Sequence, residues 1–557
     1  MHAAYFTVLA RGLAGELDIL SLPEVLDHLD NHQVHFLLDR AVTGCYASRL
    51  GRDPGLAADP AALAALIRLL DLRARLQPFD IGALRALGRL AGRPDRTARA
   101  ELLERLDAEP RGLRDLLALH DMDLSPEEAR RETESVLRAL LRAYPAYIQV
   151  ADLLLDLDFR DGRDPGDWTA SFRCPEPLEG VWRRHLFAHH ARLGLDRAAS
   201  RLWESLPAED RDETLENLAA ELFLRQGGRA EAKALYRSSL SRDPSQTPVR
   251  LRLGELENPT PVRPELLDER RVVVCLYSFN KAAMLARTLE GLAGTDLGRA
   301  RVRVLLNGCS DDSRERVEGV LPRFGGRDAT ILDLPVNVGA PQARNWLAAL
   351  PECREADFVA YLDDDVDVPR DWLARLLTVL EEAPDAGVAG CKVVHTGHPA
   401  RLQYLYRAVS PVIRPDLFKL VMSTPEGQPD PGVYDFARST MNVMGCCHVL
   451  RADVLREHPF DIRFSPSQID DIDHDLQVCL AGRRVLYTGL VTCVHHQNSG
   501  FSGTAGKSLS RAQAGNIIGN DLKLCAKHLE HQERLRELSR VDRERARSGA
   551  DWRGERA

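Results

Sequence analysis

The sequence predicts a multidomain chain, with an all-α, helical-repeat-like N-terminal half followed by an α/β half built on a mostly parallel sheet. Three observations predict it. Up to about residue 260 the chain is rich in Leu, Ala, Arg and Glu, and apolar residues recur at three- and four-residue spacing, as over 62–70. The run Asn258-Pro259-Thr260-Pro261 then breaks that texture as a linker would. From Arg271 onward short β-branched runs alternate with helical stretches, the pattern of a parallel sheet covered by crossover helices. A chain of 557 residues exceeds one core, so two to four domains are expected.

In the helical half, breakers such as Gly92-Arg93-Pro94-Asp95 punctuate the periodicity. An internal echo appears late. Residues 194–203 align with 227–236 at an offset of 33, with Ala199/Ala232, Leu202/Leu235 and Trp203/Tyr236 in register. This resembles tetratricopeptide repeats, whose helix pairs stack on one another. Residues 159–179, rich in Asp, Gly and Pro, read as a loop between helical segments. In the α/β half, Val272 to Tyr277 reads as a buried strand, 281–292 as a helix, 302–306 and 329–332 as the second and third strands, 345–350 as a helix and 358–362 as the fourth strand. Residues 395–445 show little periodicity and read as a long loop, a lid or acceptor site, in which Tyr404, Tyr406 and Tyr434 stack on a ligand or simply pack. Residues 508–540 read as helices, and the charged tail 541–557 as frayed and solvated.

The bulk numbers exclude several classes. A net charge of −9 argues against a nucleic-acid binder. No run of eighteen apolar residues is present, so no transmembrane segment is expected, although peripheral contact with a membrane is not excluded. Eleven scattered cysteines without a regular spacing, and no leader-like N-terminus, point to a reducing, cytoplasmic location, with the inner face of the membrane as the alternative.

The chemistry concentrates where the fourth strand ends. Phe358 to Leu362 runs directly into Asp363-Asp364-Asp365-Val366-Asp367. Carboxylates packed this closely repel, and each costs free energy to desolvate. The cluster makes sense if a divalent cation, Mn²⁺ or Mg²⁺, sits among the oxygens. In parallel α/β sheets, ligands bind beyond the carboxyl ends of strands. Other signals follow in a fixed order: Ser278-Phe279-Asn280-Lys281 after the first strand, Asn307-Gly308 after the second, Asn337 to Asn345 after the third, then Phe460 to Phe464, Asp470-Asp471 and finally His495-His496.

In that order and spacing, residues 270–500 resemble the family 2 glycosyltransferases, which have the GT-A fold. The resemblance implies a metal-dependent, inverting transfer of a sugar from a nucleotide-sugar donor to a glycan, lipid-linked or protein acceptor. It implies that Asp365 binds metal, with Asp367 as a second carboxylate and His495, or its neighbour His496, completing the shell. Asp363 and Asp364 would then face the ribose and sugar. Ser278, Asn280, Asn307, Asn337 and Arg344 are the further donor-binding candidates, Arg344 alternatively being a salt bridge within the core. Asp471 matches the residue that acts as base, with Asp470 orienting the acceptor. Where many members carry an Asp before the Asn-Gly turn, this chain has Leu306, so the nucleotide base is not specified.

The domain boundaries expected are 1–175 (α-helical), 176–258 (tetratricopeptide-like), 268–505 (GT-A glycosyltransferase) and 506–557 (C-terminal helices and tail). The helical domain would recruit a protein partner or position the acceptor. Two other readings stand beside the transferase: a helical-repeat scaffold with an inactive GT-A-like domain, and a nucleotidyltransferase.

Overall fold

The computed structural model describes residues 11–108, 126–415, 417–496, 511–549 and 551–554. The N-terminal half is helical, as its periodicity predicts. Asp39, Asp59, Asp80 and Asp212 each accept a backbone N–H in the first turn of the helix that follows. Ser21 and Glu24 form a capping box at the start of Leu22–His35. Gly92 and Gly162, both with positive φ, end their helices in the left-handed conformation that glycine adopts without strain. Pro60–Leu76 buries Leu66, Leu69 and Leu70 on one face.

The internal echo falls on equivalent positions. Glu179–Arg192 pairs with Asp196–Ser205, and Glu213–Arg225 pairs with Arg229–Arg242. Ala199 and Ala232 are fully buried, and Trp203 and Tyr236 fill the spaces between helices. The second helix of each pair follows a positive-φ glycine, Gly194 or Gly227.

The second half is a mixed sheet. Its strands are β1 (Val272–Ser278), β2 (Arg301–Asn307), β3 (Ala329–Leu334), β4 (Phe358–Leu362), β5 (Val366–Asp367), β6 (Ala386–His395), β7 (Arg401–Tyr404), β8 (Ala408–Arg414), β9 (Leu417–Ser423), β10 (Ala437–Thr440), β11 (Cys447–Arg451) and β12 (Arg484–His495). The main order is β10-β12-β6-β11-β4-β1-β2-β3, with β5 on β12 and β7 on β6. Strands β3, β2, β1 and β4 run parallel, as do β6 and β12; β11 is inserted antiparallel between the two groups. β4 is buried along its whole length, which is why it reads as an unbroken apolar run. The helices Ala282–Ala293 and Trp372–Glu382 cover one face, and Ala340–Ala348 lies against β1 and β2.

Two expectations are corrected. The loop expected over 395–445 instead holds β7, the β8–β9 hairpin and β10. Tyr404, Tyr406 and Tyr434 are buried, and their hydroxyls bond Asn442, the His35 carbonyl and the Leu37 N–H. These three tyrosines pack and form no aromatic platform for a sugar. The hairpin was hidden because its apolar residues meet partners distant in sequence: β8 packs on Leu22–His35 and on Gln532–Ser548. Over 541–549 and 551–554 the charged tail is not frayed, and the rest of it, 550 and 555–557, lies outside the described residues. Gln532–Ser548 continues through Val541, and Arg438 donates to Asp542 at 2.5 Å with both groups buried. Arg543 reaches Asp27, and Arg484 donates to the buried Trp552 carbonyl at 2.7 Å. Charged residues alone suggest a solvated segment; here the guanidiniums and carboxylates are matched across chain termini.

Removing one partner of a buried ion pair strands the other in low dielectric. Asp542→Ala, which leaves Arg438 in that position, is expected to cost about 3–5 kcal/mol, read from the urea midpoint.

Candidate active site

At the end of β4 the backbone leaves the sheet: the Asp363 N–H donates to the Cys446 carbonyl at 2.9 Å, and after a turn through Asp364 and Asp365 the chain enters β5. β5 pairs antiparallel with the end of β12, placing Val366 opposite His495. That pairing brings together residues 130 apart in sequence. His495 Nε2 lies 3.0 Å from Asp365 Oδ1, and Gln403 on β7 holds the other ring nitrogen, Nδ1, at 2.9 Å. With the Gln403 carbonyl oxygen as acceptor, Nδ1 carries the proton, and Nε2 is left facing a carboxylate. A proton or a metal ion between them satisfies both.

Asp363, Asp365 and His495 offer ligand atoms that all lie within 4.8 Å of one another. Two carboxylates and an imidazole are a donor set suited to Mn²⁺ or Mg²⁺. The composition of this group differs from the expected one. Asp367 is not in it; its carboxylate accepts from His496 Nε2 at 2.7 Å and from Arg287 at 3.0 Å. The turn through Asp364 and Asp365 breaks strand alternation, which sets Asp363 rather than Asp367 beside Asp365 and His495. His496 likewise belongs with Asp367, while its N–H donates to the Asp365 carbonyl at 2.8 Å.

Asp364 points the other way. It accepts from Ser278 Oγ at 2.5 Å and from Lys281 Nζ at 2.9 Å, and the same ammonium reaches Asp365 Oδ2 at 2.9 Å. Burial pushes Asp363 and Asp364 above the usual carboxylate range, although Arg344 and Lys281 respectively pull them back. Burial would raise Asp365 too, but the His495 hydrogen bond and charge, with Lys281, outweigh it and hold Asp365 at about 2. Lys281 was visible in the sequence beside Asn280; its ammonium between two carboxylates was not. Thr288 is a second such residue: its hydroxyl donates to the Asp364 carbonyl and accepts the Val366 N–H, both at 3.1 Å.

The donor-side asparagines form a clasp. Asn307 Nδ2 donates to Asn337 Oδ1 at 2.9 Å, Asn307 Oδ1 accepts the Val338 N–H, and Asn337 Oδ1 also accepts the Gly339 N–H. Gly308, at φ 73°, allows this: a Cβ there would stand 2.3 Å from the Asn337 nitrogen. Asn280, itself at φ 53°, accepts the Ser310 N–H at 2.8 Å. These residues tie together the ends of β1, β2 and β3.

Asp470 and Asp471 open the helix Asp470–Leu480, directly after Gln468 and Ile469, two successive non-glycine residues with positive φ. Such backbone costs of order 1–3 kcal/mol per residue and persists only where the surroundings enforce it. Asn520 enforces it, donating to the carbonyls of Phe464, Ser467 and Gln468 from the C-terminal helix Arg511–Lys527. Nothing in the sequence marks Asn520. Asp470 is buried against Arg344 at 2.5 Å, and burial still pushes it up to about 6. Asp471 is half-buried; its Oδ2 accepts the Gly445 N–H at 2.8 Å and its Oδ1 the Ile472 N–H at 2.9 Å. Arg344 also donates to the Gly445 carbonyl at 3.2 Å and stands 3.6 Å from Asp363. One guanidinium thus joins the acidic cluster to the acid pair. Asp473 is bound by His528 and Lys527, and Asp475 accepts the Val443 N–H, so both hold the helix in place.

Residues 273–458 match the family model described as glycosyl transferase family 2. That match takes in the mixed sheet from β1 to β11 and ends before Asp470. Over 130 residues the chain is 35% identical to the succinoglycan biosynthesis protein ExoM of Rhizobium meliloti (strain 1021), which is 23% of this chain and 40% of that protein. The chain thus spans less than half the length of this curated relative. Among solved structures, GalNAc-T7 with UDP, GalNAc and Mn²⁺ is 14% identical, with a TM-score of 0.34 over 41% of this chain and 43% of that one. The mannosyltransferase PcManGT of Pyrobaculum calidifontis, in complex with GDP-Man and Mn²⁺, is 17% identical, with a TM-score of 0.32 over 57% of this chain and 88% of that one. Likenesses at these scores leave the chemistry to be argued from the residues.

Two stability outcomes follow from the buried charges. Arg344→Met leaves Asp470 buried without its cation, and is expected to cost about 3–5 kcal/mol at neutral pH in urea unfolding. Asp475 is fully buried and pushed up to about 6 by desolvation, against the pull of His474. Its folded pKa exceeds the unfolded value of about 3.9, so its stabilising contribution is full below about pH 4 and is lost as pH rises through about 6. Asp475→Asn keeps an acceptor for Val443 and carries no charge. Its Tm relative to the parent is expected to rise between pH 5 and pH 8, by an amount equivalent to roughly 1.4 kcal/mol.

Proposed function

We propose that the chain is a metal-dependent, inverting glycosyltransferase that moves a sugar from a nucleotide-sugar donor to a hydroxyl of a glycan or lipid-linked acceptor. The observation that carries this reading is the convergence of Asp363, Asp365 and His495 beyond β4, joined through Arg344 to the separate, half-buried carboxylate Asp471. Asp363, Asp365 and His495 would hold the cation. When bound, it would stabilise the negative charge that grows on the leaving diphosphate.

The remaining roles fall to the chain's own groups. Asp471 takes the proton of the acceptor hydroxyl as that oxygen attacks the anomeric carbon. The new C–O bond forms on the face opposite the breaking bond to the diphosphate, so the configuration inverts. Asp470, ion-paired and buried, is a poor base at neutral pH but keeps Arg344 in place. Ser278 and Lys281 position Asp364 toward the donor sugar, and the Asn280, Asn307 and Asn337 clasp shapes the nucleotide side of the cleft. The acceptor class is consistent with a relative named for succinoglycan biosynthesis. The paired helices of residues 179–257 would serve as a tetratricopeptide-like platform for the acceptor or a partner enzyme.

The test is a panel of nucleotide-sugars with Mn²⁺, followed by mass spectrometry. Asp471→Asn is expected to reduce transfer by about 10³-fold while leaving donor affinity nearly unchanged. Asp365→Asn is expected to lose metal-dependent donor binding as well. No turnover with any donor, together with no metal-dependent nucleotide binding, would sink the proposal.

A further inference from the structure

Between the N-terminal helices and the sheet edge at β7 lies a cavity of about 1010 Å³, lined by none of the acidic-site residues. Its wall carries seven arginines and five carboxylates. Every one of those carboxylates is engaged. Asp39 caps its helix by accepting the Val42 N–H, Asp156 holds Arg40, Asp71 and Glu213 hold Arg75, and Asp243 accepts the Ser245 N–H.

Arginines outnumber carboxylates on this wall by two, so its net charge is cationic. Among the described residues, Arg160, Arg192 and Arg401 have no carboxylate within ion-pair distance. Arg401 lies over the Phe159 ring at 5.0 Å, and its one hydrogen bond, to the Gly427 carbonyl, is 3.4 Å long. Burial first, and then repulsion from Arg160 and Arg40, lowers the Arg401 pKa; burial and Arg40 do the same to Arg192. Guanidiniums gathered this way without counter-ions are a ready site for an oxyanion, which they bind through charge-assisted and often bidentate hydrogen bonds.

The volume is that of a small-ligand site.

We propose that this cavity binds an oxyanion, a small organic phosphate or carboxylate, whose charge Arg160, Arg192 and Arg401 take. The cavity and the acidic site border the same strand: Arg401 begins β7, whose Gln403 holds His495.

The test is calorimetric titration of the full chain in EDTA, so that no divalent cation supports binding at the acidic cluster. The probes are glucose 1-phosphate, trigalacturonate and neutral maltotriose. At least one anionic probe is expected to bind with a sub-millimolar Kd and to weaken in about 0.5 M NaCl; which one binds tells phosphate from carboxylate. The double substitution Arg160→Gln and Arg192→Gln breaks no ion pair and is expected to weaken binding at least about tenfold with Tm retained. Gln428→Glu, which adds a carboxylate to the wall, is expected to abolish it. The proposal is overturned if neither anionic probe binds, if maltotriose binds equally well, or if these variants bind as the parent does.

Discussion

The Arg344 guanidinium is 5% exposed, touches Asp470 and Gly445 directly, and stands 3.6 Å from Asp363. Much of the site's geometry depends on it. Five carboxylates from two distant segments, 363–365 and 470–471, occupy one cleft, and their mutual repulsion would drive those segments apart. Arg344 offsets it from one side and Lys281 from the other, while His495 completes the balance at Asp365. Gly445 lies where Arg344 and Asp471 approach most closely; a Cβ there would come within 2.9 Å of both. Charge balance and close packing are met by the same few residues.

The ends of the chain hold this arrangement from outside the sheet. Asn520 pins the loop with two left-handed residues before Asp470, and Lys527 and His528 grip Asp473 one turn along. The following helix brings Asp542 to Arg438 and Arg543 to the N-terminal helix at Asp27. That N-terminal helix in turn packs on β8 and bonds its Asn31 to Val409 and Ser410. The helical half is therefore joined to the catalytic half through buried polar contacts.

The helices of the N-terminal half, the first four strands and the end of β4 as the seat of chemistry were legible in the sequence, because they rest on local periodicity and on the contrast between an apolar run and a charged one. The β8–β9 hairpin was not, since its apolar residues are satisfied only by helices near residues 30 and 540. The tail misled for the same reason in reverse: its charges are those of a solvated segment, and their partners lie hundreds of residues away. Within the site, the residue types were readable and their grouping was not. Asp363, Asp365 and Asp367 are equivalent in a list of carboxylates, yet the turn after β4 and the pairing of β5 with β12 separate Asp367 from the other two.

By itself the sequence determined which residues are chemically able to act: a knot of carboxylates after a buried strand, a later acid pair, and two histidines. These follow from composition and short-range order, which a chain carries before it folds. Only the tertiary structure decided which carboxylate meets which cation, that His495 faces Asp365 while His496 faces Asp367, and that Asn520 and Gln403 belong to the site at all. Those choices depend on strand register and on side chains meeting across a hundred residues or more, where a shift of one position in β12 would exchange the two histidines.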